Sequence, residues 1–275
     1  MNIYEQITDF YERTPLEKKN IGKSVFGRNL HAIKIGEGKP VGIAQYSIHG
    51  REFITAQLAI EHIHRGVYQG SLWVLPLMNP DGALLSELGM DSVERERDKE
   101  YLLQINKGKS DFSLWKANGR GVDLNVNFAA KWGRGVKNVF YPCSENYIGE
   151  CPFSEPETLA LRKFTLQVKP NYTVSYHTKG EEIYWYFHQS IRACARDKRL
   201  ALALSTSTGY PLAYASGSVG GYKDWCIQRL GIPSFTIEAG ADSFSHPLGE
   251  ERLDNILCKN RNALYDLSKE CSKEI

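Results

Sequence analysis

The sequence predicts an α/β protein with a mixed, mainly parallel β-sheet between layers of helices. Short apolar runs rich in β-branched residues alternate along the chain with longer segments of helical periodicity, as in sheets that are covered by helices. With 275 residues and a hydrophobic content of 42%, the chain is long enough to bury a full core. We therefore predict a single domain over residues 1–275.

The first part of the chain predicts a helix followed by strands. Apolar positions at helical spacing favour the opening helix, and a hairpin is expected to turn at Gly27-Arg28-Asn29. The predicted elements are a helix over 3–13, a hairpin over 23–36, a buried strand over 41–48, a helix over 53–64, a strand over 71–78 and a turn at Asn79-Pro80-Asp81-Gly82.

The middle of the chain is more polar. Residues 89–119 carry many charges and predict a surface excursion with a solvated helix. In residues 120–128, polar and apolar residues alternate, which predicts a strand end that directs Asp123, Asn125 and Asn127 to one side.

The last part of the chain again alternates between helices and strands. Acidic residues in a first turn favour the helix that begins near Glu155. The predicted elements are a helix from Glu155 to about Val168 with Ser154 as N-cap, a strand over 172–176 that ends on His177, a helix over 190–204, a mobile loop over 206–221, a short helix over 222–230, a strand over 232–237 that ends in Glu238, and a closing helix over 248–271.

Bulk properties exclude several classes of protein. Lysine and arginine number 34 against 32 acidic residues, and a net charge of +2 argues against a nucleic-acid or membrane-surface partner. The N-terminus has no signal-peptide pattern and no apolar run reaches membrane-spanning length, so we expect a cytoplasmic chain. The six cysteines are sparse and lack a C-x-x-C pair, which predicts reduced thiols.

Two histidines stand at the ends of predicted strands. His49 and Glu52 lie three residues apart where the strand over 41–48 gives way to a helix, and His177 ends the strand over 172–176. Open α/β sheets place their ligand crevice at the carboxyl ends of strands, so these residues are expected to meet. A catalytic zinc site needs three such ligands and a free position for water. The alternative is that both histidines are buried structural residues without a metal.

The sequence resembles the zinc metallocarboxypeptidases over most of its length. Each matching motif is weak alone, but together and in this order they are specific. The motifs are His49-x-x-Glu52, Asn79-Pro80-Asp81-Gly82, Gly121-Val122-Asp123-Leu124-Asn125, Pro152-Phe153-Ser154-Glu155-Pro156-Glu157-Thr158, Ser175-Tyr176-His177 and Phe235-Thr236-Ile237-Glu238.

The resemblance implies a carboxypeptidase-like fold and a role for each matching residue. Glu238 would be the general base, and Arg120 would stabilise the oxyanion of the tetrahedral intermediate. Asp123 would support His49. One zinc ion would be bound by His49, Glu52 and His177.

The chain departs from the family at the substrate site. Members that trim C-terminal residues usually carry Asn-Arg where this chain has Asn125-Val126, and that arginine pairs with the substrate's terminal carboxylate. Asn125 retains hydrogen-bonding capacity. Lys223 occupies the position that tunes side-chain preference, where a cation would favour a carboxylate. Tyr214 would be the tyrosine that closes over substrate, with Tyr210 and Tyr222 as alternatives.

Within this family, residues 177–185 and the overall length look most like the γ-D-glutamyl-diamino acid peptidases and murein-peptide amidases. This resemblance implies zinc-dependent hydrolysis of the bond between γ-D-glutamate and a diamino acid, meso-diaminopimelate above all, in peptidoglycan-derived peptides. A metallocarboxypeptidase or deacylase of different specificity is the alternative among enzymes. A non-catalytic peptide-binding module is the alternative from another class.

Overall fold

The computed structural model describes residues 1–215 and 217–273, and within this part of the chain eight strands form one sheet. The strands are β1 (Lys18–Lys23), β2 (Asn29–Glu37), β3 (Val41–Tyr46), β4 (Gly70–Leu75), β5 (Tyr172–His177), β6 (Glu182–Tyr184), β7 (Leu212–Ala213) and β8 (Ser234–Glu238). The helices are α1 (Ile3–Arg13), α2 (Thr55–Arg65), α3 (Pro80–Leu88), α4 (Glu96–Ile105), α5 (Pro156–Val168), α6 (Ile191–Thr208), α7 (Tyr222–Trp225), α8 (Leu253–Asn260) and α9 (Ala263–Ser272).

The sheet is mixed, with parallel strands at its centre. The strand order is β1-β2-β4-β3-β5-β8-β6-β7. Strand β3 is parallel to both β4 and β5, β5 is parallel to β8, and β6 is parallel to β7. The pairs β1–β2, β2–β4 and β6–β8 are antiparallel. The chain leaves β3 for β4 on one side and returns to β5 on the other. The carboxyl ends of β3 and β5 therefore border the kind of crevice in which α/β sheets bind ligands.

Helices cover both faces of the sheet. Successive residues of a strand point to opposite faces, and along β3 the side chain of Ile43 joins one buried cluster while that of Ala44 joins the other. One cluster packs the sheet against α2, α6, α8 and α9, and the other packs it against α5 and α7. The predicted fold class, a mixed sheet between helical layers, is confirmed.

Most predicted elements are found near their expected positions, and α1 matches its predicted bounds. Three details differ. The tetrapeptide that begins at Asn79 starts α3 and is not a separate turn. The Asn79 side chain accepts the N–H of Gly82, and Pro80 occupies the first helical position. Residues 124–126 form a 3₁₀ turn and not a strand end. The N-cap of α5 is Glu155 and not Ser154, and the Ser154 hydroxyl donates to the Glu155 carboxylate instead of capping the helix.

The C-terminal part of the chain also differs from its prediction. The closing helix is divided into α8 and α9 around Arg261 and Asn262. The strands β6 and β7 were not predicted, since each is very short and takes its place only by pairing with a distant neighbour. Among the described residues, no helix combines the length and apolarity that a bilayer crossing requires.

Candidate active site

Three side chains with metal-binding atoms converge at the carboxyl ends of β3 and β5. His49 precedes the short 3₁₀ turn that contains Glu52, and His177 is the last residue of β5. The turn packs so closely on α3 that a Cβ at Gly50 would collide with the backbone of Gly82. The N–H groups of Gly50 and Arg51 donate to the carbonyls of residues 116 and 115, which fixes the turn against the segment that precedes Asp123.

The geometry of this cluster fits a zinc ion. The Nδ1 atoms of His49 and His177 lie 3.1 Å apart, and they are 2.9 and 3.0 Å from the two carboxylate oxygens of Glu52. All three residues are buried. Two imidazole nitrogens and one carboxylate form the ligand set of catalytic zinc sites, in which the fourth position is left to water or substrate. His49, Glu52 and His177 are the zinc ligands.

Asp123 holds the first ligand. Its Oδ1 lies 3.2 Å from His49 Nε2, and its Oδ2 lies 2.9 Å from the ammonium of Lys116. Burial opposes ionisation of Asp123, but Lys116 and His49 outweigh it and hold the pKa of Asp123 well below its usual range. His49 thus donates from Nε2 to a carboxylate, which leaves Nδ1 free as a ligand atom. Asp123 lies where the resemblance requires it.

Glu238 faces the same cavity. It is the last residue of β8, where it is paired with His177 of β5, and it lines a cavity of about 530 Å³ together with His49 and His177. Burial raises the pKa of Glu238 to about 7, with His177 opposing and Glu52 reinforcing the change. A carboxyl group of this kind next to the ligands has the position and chemistry of a general base.

A second cavity of about 210 Å³ adjoins the first. Asn125 and Glu238 line both cavities, so Glu238 stands at their junction. The Oδ1 of Asn125 accepts the N–H of Tyr222, which leaves its amide Nδ2 as the group available for a ligand. The second cavity is lined by Asn125, Tyr184, Ala215, Ser218, Gly221, Lys223, Asp224, Thr236 and Glu238.

Arg120 lies away from the zinc ligands. The Asn118 side chain accepts the N–H groups of Arg120 and Val122, so the backbone turns around it and directs the Arg120 side chain outward. Arg120 is largely exposed, 3.8 Å from Glu155, and lines a different cavity. The cations that line the ligand cavity among the described residues are Arg51, Lys116 and Lys137. The oxyanion role that the resemblance gives to Arg120 therefore does not match its position.

Tyr214 also lies outside both cavities. Its side chain is 64% exposed and packs on Trp185 and Tyr186, with ring centroids 5.7 Å apart in each case. The two alternatives are buried: the Tyr210 hydroxyl accepts from Asn260, and the Tyr222 hydroxyl bonds to Thr165. Of the three tyrosines, Tyr214 is the one with an exposed side chain.

Sequence reasoning missed two charged residues of the site. Lys116 lines the ligand cavity and contacts Asp123, and Asp224 lines the second cavity beside Lys223. For Lys116, the available signal was its place between Trp115 and Ala117, which are apolar neighbours typical of a buried segment. For Asp224, the signal was its adjacency to Lys223.

Comparisons with known proteins agree with this geometry. The sequence model of a family described as zinc carboxypeptidase matches residues 3–262. The gamma-D-glutamyl-L-diamino acid endopeptidase 1 of Lysinibacillus sphaericus is 31% identical over 260 residues, which cover 88% of this chain and 63% of that protein. The chain thus spans less than two thirds of the length of this relative.

Two solved structures show the same fold. Bovine thrombin-activatable fibrinolysis inhibitor, in complex with a tick carboxypeptidase inhibitor, has a TM-score of 0.79 at 22% identity, over 100% of this chain and 98% of that chain. The murein-tripeptide amidase MpaA from Escherichia coli O157 has a TM-score of 0.62 at 22% identity, over 94% of this chain and 95% of that chain. At this level of identity, both structures support the fold alone.

Proposed function

The chain belongs to the zinc carboxypeptidase family, and from this premise we propose that it hydrolyses the bond between γ-D-glutamate and a diamino acid, with meso-diaminopimelate foremost, in peptidoglycan-derived peptides. The observation that carries the proposal is the position of Glu238. It lies between the zinc ligands and a second cavity that contains buried charges. A base in this position serves a peptide whose scissile carbonyl lies at the ligands and whose leaving residue enters the second cavity.

The residues divide the chemistry between them. When bound, zinc supplies a Lewis acid that polarises the carbonyl and lowers the pKa of water toward neutrality. Glu238 accepts the proton of the attacking water and returns it to the leaving amine. Asp123 keeps His49 in the orientation and tautomer that its ligand role needs.

We assign the oxyanion-stabilising charge to Lys116 in place of Arg120. Burial favours the neutral form of Lys116, but Asp123 outweighs it and raises the pKa of Lys116 above its ordinary value. The lysine is therefore a permanent cation at neutral pH in the cavity of the zinc ligands. A fixed cation in a partly buried cavity favours negative charge that develops on the carbonyl oxygen.

The proposed substrate rests on the cavity residues and on the relatives. Val126 lines the ligand cavity at the position where carboxypeptidases of the family usually have an arginine, so the bidentate clamp for a terminal carboxylate is absent at that residue. Asn125 and Lys223 line the second cavity and offer it an amide and an ammonium group. Tyr214 is proposed to close over the substrate. The name of the Lysinibacillus relative states a specificity for a γ-D-glutamyl-diamino acid bond, which suits these groups.

We propose that this reaction takes place in the cytoplasm, because the cysteines are reduced. All six lie in the described part of the chain, and all six are free thiols. Free thiols are typical of reducing compartments. Peptidoglycan-derived peptides that are recycled or newly made would be the substrates there, without nucleic-acid or membrane partners.

The test is product analysis by mass spectrometry. Zinc-loaded protein is incubated with L-Ala-γ-D-Glu-meso-diaminopimelate, beside a Glu238→Gln variant as matched control. We expect free diaminopimelate from the wild type, and a rate about 10²- to 10⁴-fold lower from the variant, as for loss of a general base. Zinc content of both proteins, measured by atomic absorption, shows that the variant retains its ligands.

Other outcomes point to the alternatives. If the tripeptide stays intact while an α-linked peptide is trimmed or an acylated amino acid is hydrolysed, the protein is a carboxypeptidase or deacylase and the substrate proposal is wrong. If no substrate is cleaved while the tripeptide binds, the protein is a peptide-binding module.

A further inference from the structure

The second cavity contains a buried ion pair. The ammonium of Lys223 lies 2.6 Å from the Oδ1 of Asp224, and the side chains of both residues are 7% exposed. Both residues line the cavity that Glu238 borders. The cavity therefore presents a positive and a negative group side by side, and not the isolated cation that Lys223 alone suggests.

Each partner of the pair keeps hydrogen-bonding capacity. Lys223 has three N–H donors, and two of them are directed at Asp224 and at the carbonyl of Tyr186, which lies 3.3 Å away. Asp224 accepts from Lys223 through Oδ1 and from the N–H of Gly221, at 3.2 Å, through Oδ2. A carboxylate has about four acceptor positions, so some stay open. One donor of Lys223 and further lone pairs of Asp224 remain for a ligand.

The pair is held in a fixed position. The Lys223 ammonium also lies 5.3 Å from the centre of the Phe187 ring, a cation–π distance, and Asp224 caps the short helix α7 through Gly221. The contacts come from residues 186–187 and from the start of α7 itself, so both charges are held in place.

Electrostatics then decides which ligand group gains most. A lone carboxylate beside Lys223 is repelled by Asp224, and a lone ammonium beside Asp224 is repelled by Lys223, at nearly the same distance. A group that carries both charges can place its carboxylate at Lys223 and its ammonium at Asp224. Four alternating charges then replace the water that the cavity loses, and no charge is left buried without a partner.

We propose that Lys223 and Asp224 together select a leaving residue whose side chain ends in both an ammonium and a carboxylate, as in diaminopimelate. A side chain that ends in only one of these groups would be disfavoured. This inference rests on the proposed function, because it requires that the leaving residue enters the second cavity.

The experiment compares three substrates that differ only in the end of this side chain. Zinc-loaded protein is supplied with γ-D-glutamyl peptides of 2,6-diaminopimelate, of lysine, which keeps the ammonium alone, and of 2-aminopimelate, which keeps the carboxylate alone. We expect kcat/KM for the diaminopimelate peptide to exceed both others by about tenfold or more, as for one charge-assisted hydrogen bond.

Two variants test which residue is responsible for each part of the preference for the diaminopimelate peptide. Lys223→Gln is expected to lose the preference for diaminopimelate over lysine while it keeps much of the preference over 2-aminopimelate. Asp224→Asn, which retains an oxygen for the Gly221 N–H, is expected to show the reverse. Calorimetric binding of free diaminopimelate and free lysine to the same proteins gives a second readout that does not depend on turnover, and circular dichroism checks the fold.

The inference is overturned if the three peptides are hydrolysed equally, or if both variants slow all three by the same factor. Failure of the proposed function looks different: γ-linked peptides stay intact while α-linked peptides with the same three residues are cleaved. In that case the inference is tested by the kcat/KM values of the three α-linked peptides. A preference for the diaminopimelate peptide supports the inference, and equal values overturn it.

Discussion

At the scale of single residues, buried ion pairs place lysines in both cavities of the site. Lys116 is paired with Asp123 beside the zinc ligands, and Lys223 is paired with Asp224 in the second cavity. A buried lysine without a partner tends to lose its proton, whereas an adjacent carboxylate keeps it charged. The Asp123 carboxylate thus allows a fixed positive charge at Lys116, which the sequence analysis did not assign to the site.

The first prediction separates Lys116 from Arg120. Lys116→Met should lower kcat/KM by about 10²- to 10³-fold, because it removes a cation from the cavity in which the oxyanion forms. Arg120→Met should change kcat/KM by less than about threefold, since its side chain is exposed and lines another cavity. Both values come from initial rates on the γ-D-glutamyl tripeptide.

Lys116→Arg is the conservative control and should recover part of the activity, because it restores the charge beside Asp123. A large loss for Arg120→Met together with a small loss for Lys116→Met would return the oxyanion role to Arg120.

The sequence alone could not have located these cations. The motif around Asp123 places Arg120 three residues away along the chain, which suggests proximity. Its direction depends on the Asn118 side chain, whose oxygen accepts two backbone N–H groups and turns the loop. Such a turn is set by one buried amide, and composition and periodicity carry no signal for it.

At the scale of elements, the start of α3 supports the zinc ligands from behind. Asn79 caps the helix by accepting the N–H of Gly82, and its amide donates to the carbonyls of Ile48 and Ala117 at 3.2 and 3.1 Å. These bonds join the end of β3, the start of α3 and the loop that follows Lys116. A single buried side chain thus fixes the backbone just before His49 against α3 and the loop after Lys116.

The second prediction concerns this cap. Asn79→Ala should lower the free energy of unfolding by about 2–3 kcal/mol, because it removes a helix cap and leaves buried carbonyls without donors. The exposed cap of α1 is the matched control, and Asn2→Ala should cost about 1 kcal/mol or less. Urea titrations of both variants measure the difference, and equal losses would contradict the special role of Asn79.

The elements divide into those that local pattern predicts and those that it does not. The strands β3 and β5 are apolar runs with clear ends, so the positions of His49 and His177 at those ends could be predicted. Residues 124–126 were expected to continue a strand because polar and apolar residues alternate there. The Asp123 carboxylate accepts the N–H of Asn125 and starts a 3₁₀ turn instead, so a side chain overrode the alternation.

At the scale of the whole molecule, the order of the strands assembles the site. The ends of β3, β5 and β8 are neighbours in the sheet although they are distant in sequence, and the register of β5 with β8 pairs His177 with Glu238. Pairing over such distances leaves no local trace in the sequence. Resemblance to a family was therefore needed to assign Glu238 to the site. The extent of the domain, residues 1–275, stays a prediction.

The third prediction follows from this assembly. Zinc joins β3 to β5 through three buried ligands, so its removal should lower the melting temperature. At a free zinc concentration about a thousandfold above Kd, binding contributes about 4 kcal/mol, which corresponds to roughly 10 °C for a chain of this size. Differential scanning calorimetry with and without a chelator measures the shift. The Glu52→Gln variant should show a much smaller shift, and equal melting temperatures of loaded and metal-free wild type would contradict the prediction.

Two buried groups remote from the ligands make stability depend on pH in opposite directions. Burial, reinforced by Asp81, raises the pKa of Glu157 from 4.5 to about 8. The contribution of Glu157 to the free energy of unfolding therefore falls as the pH rises through this range. Burial lowers the pKa of His62 from 6.5 to about 4, so its contribution falls as the pH decreases through that range. The two contributions partly cancel in the total stability between pH 4.5 and 6.5.

The last prediction isolates His62, which joins α2 to its neighbours as a neutral ring. Its Nδ1 accepts from the Tyr46 hydroxyl at 2.6 Å and its Nε2 donates to the carbonyl of Asn260 at 2.8 Å, while the Tyr176 ring packs 5.1 Å away. Burial lowers the pKa of His62 and outweighs the Asn260 carbonyl and Glu61, which both favour the charged ring. Between pH 6.5 and 4 the unfolded chain binds a proton at His62 that the folded protein does not bind. The contribution of His62 to the free energy of unfolding therefore falls by about 3 kcal/mol over this range.

His62→Gln retains a donor for the Asn260 carbonyl but does not titrate in this range. Urea titrations at several pH values should therefore show that the wild type loses about 3 kcal/mol more than the variant on acidification from pH 6.5 to 4. In the wild type, the NMR signal of the His62 ring should not shift until the pH approaches 4. A ring that titrates near pH 6.5, or parallel stability profiles for the two proteins, would show that burial does not hold the ring neutral.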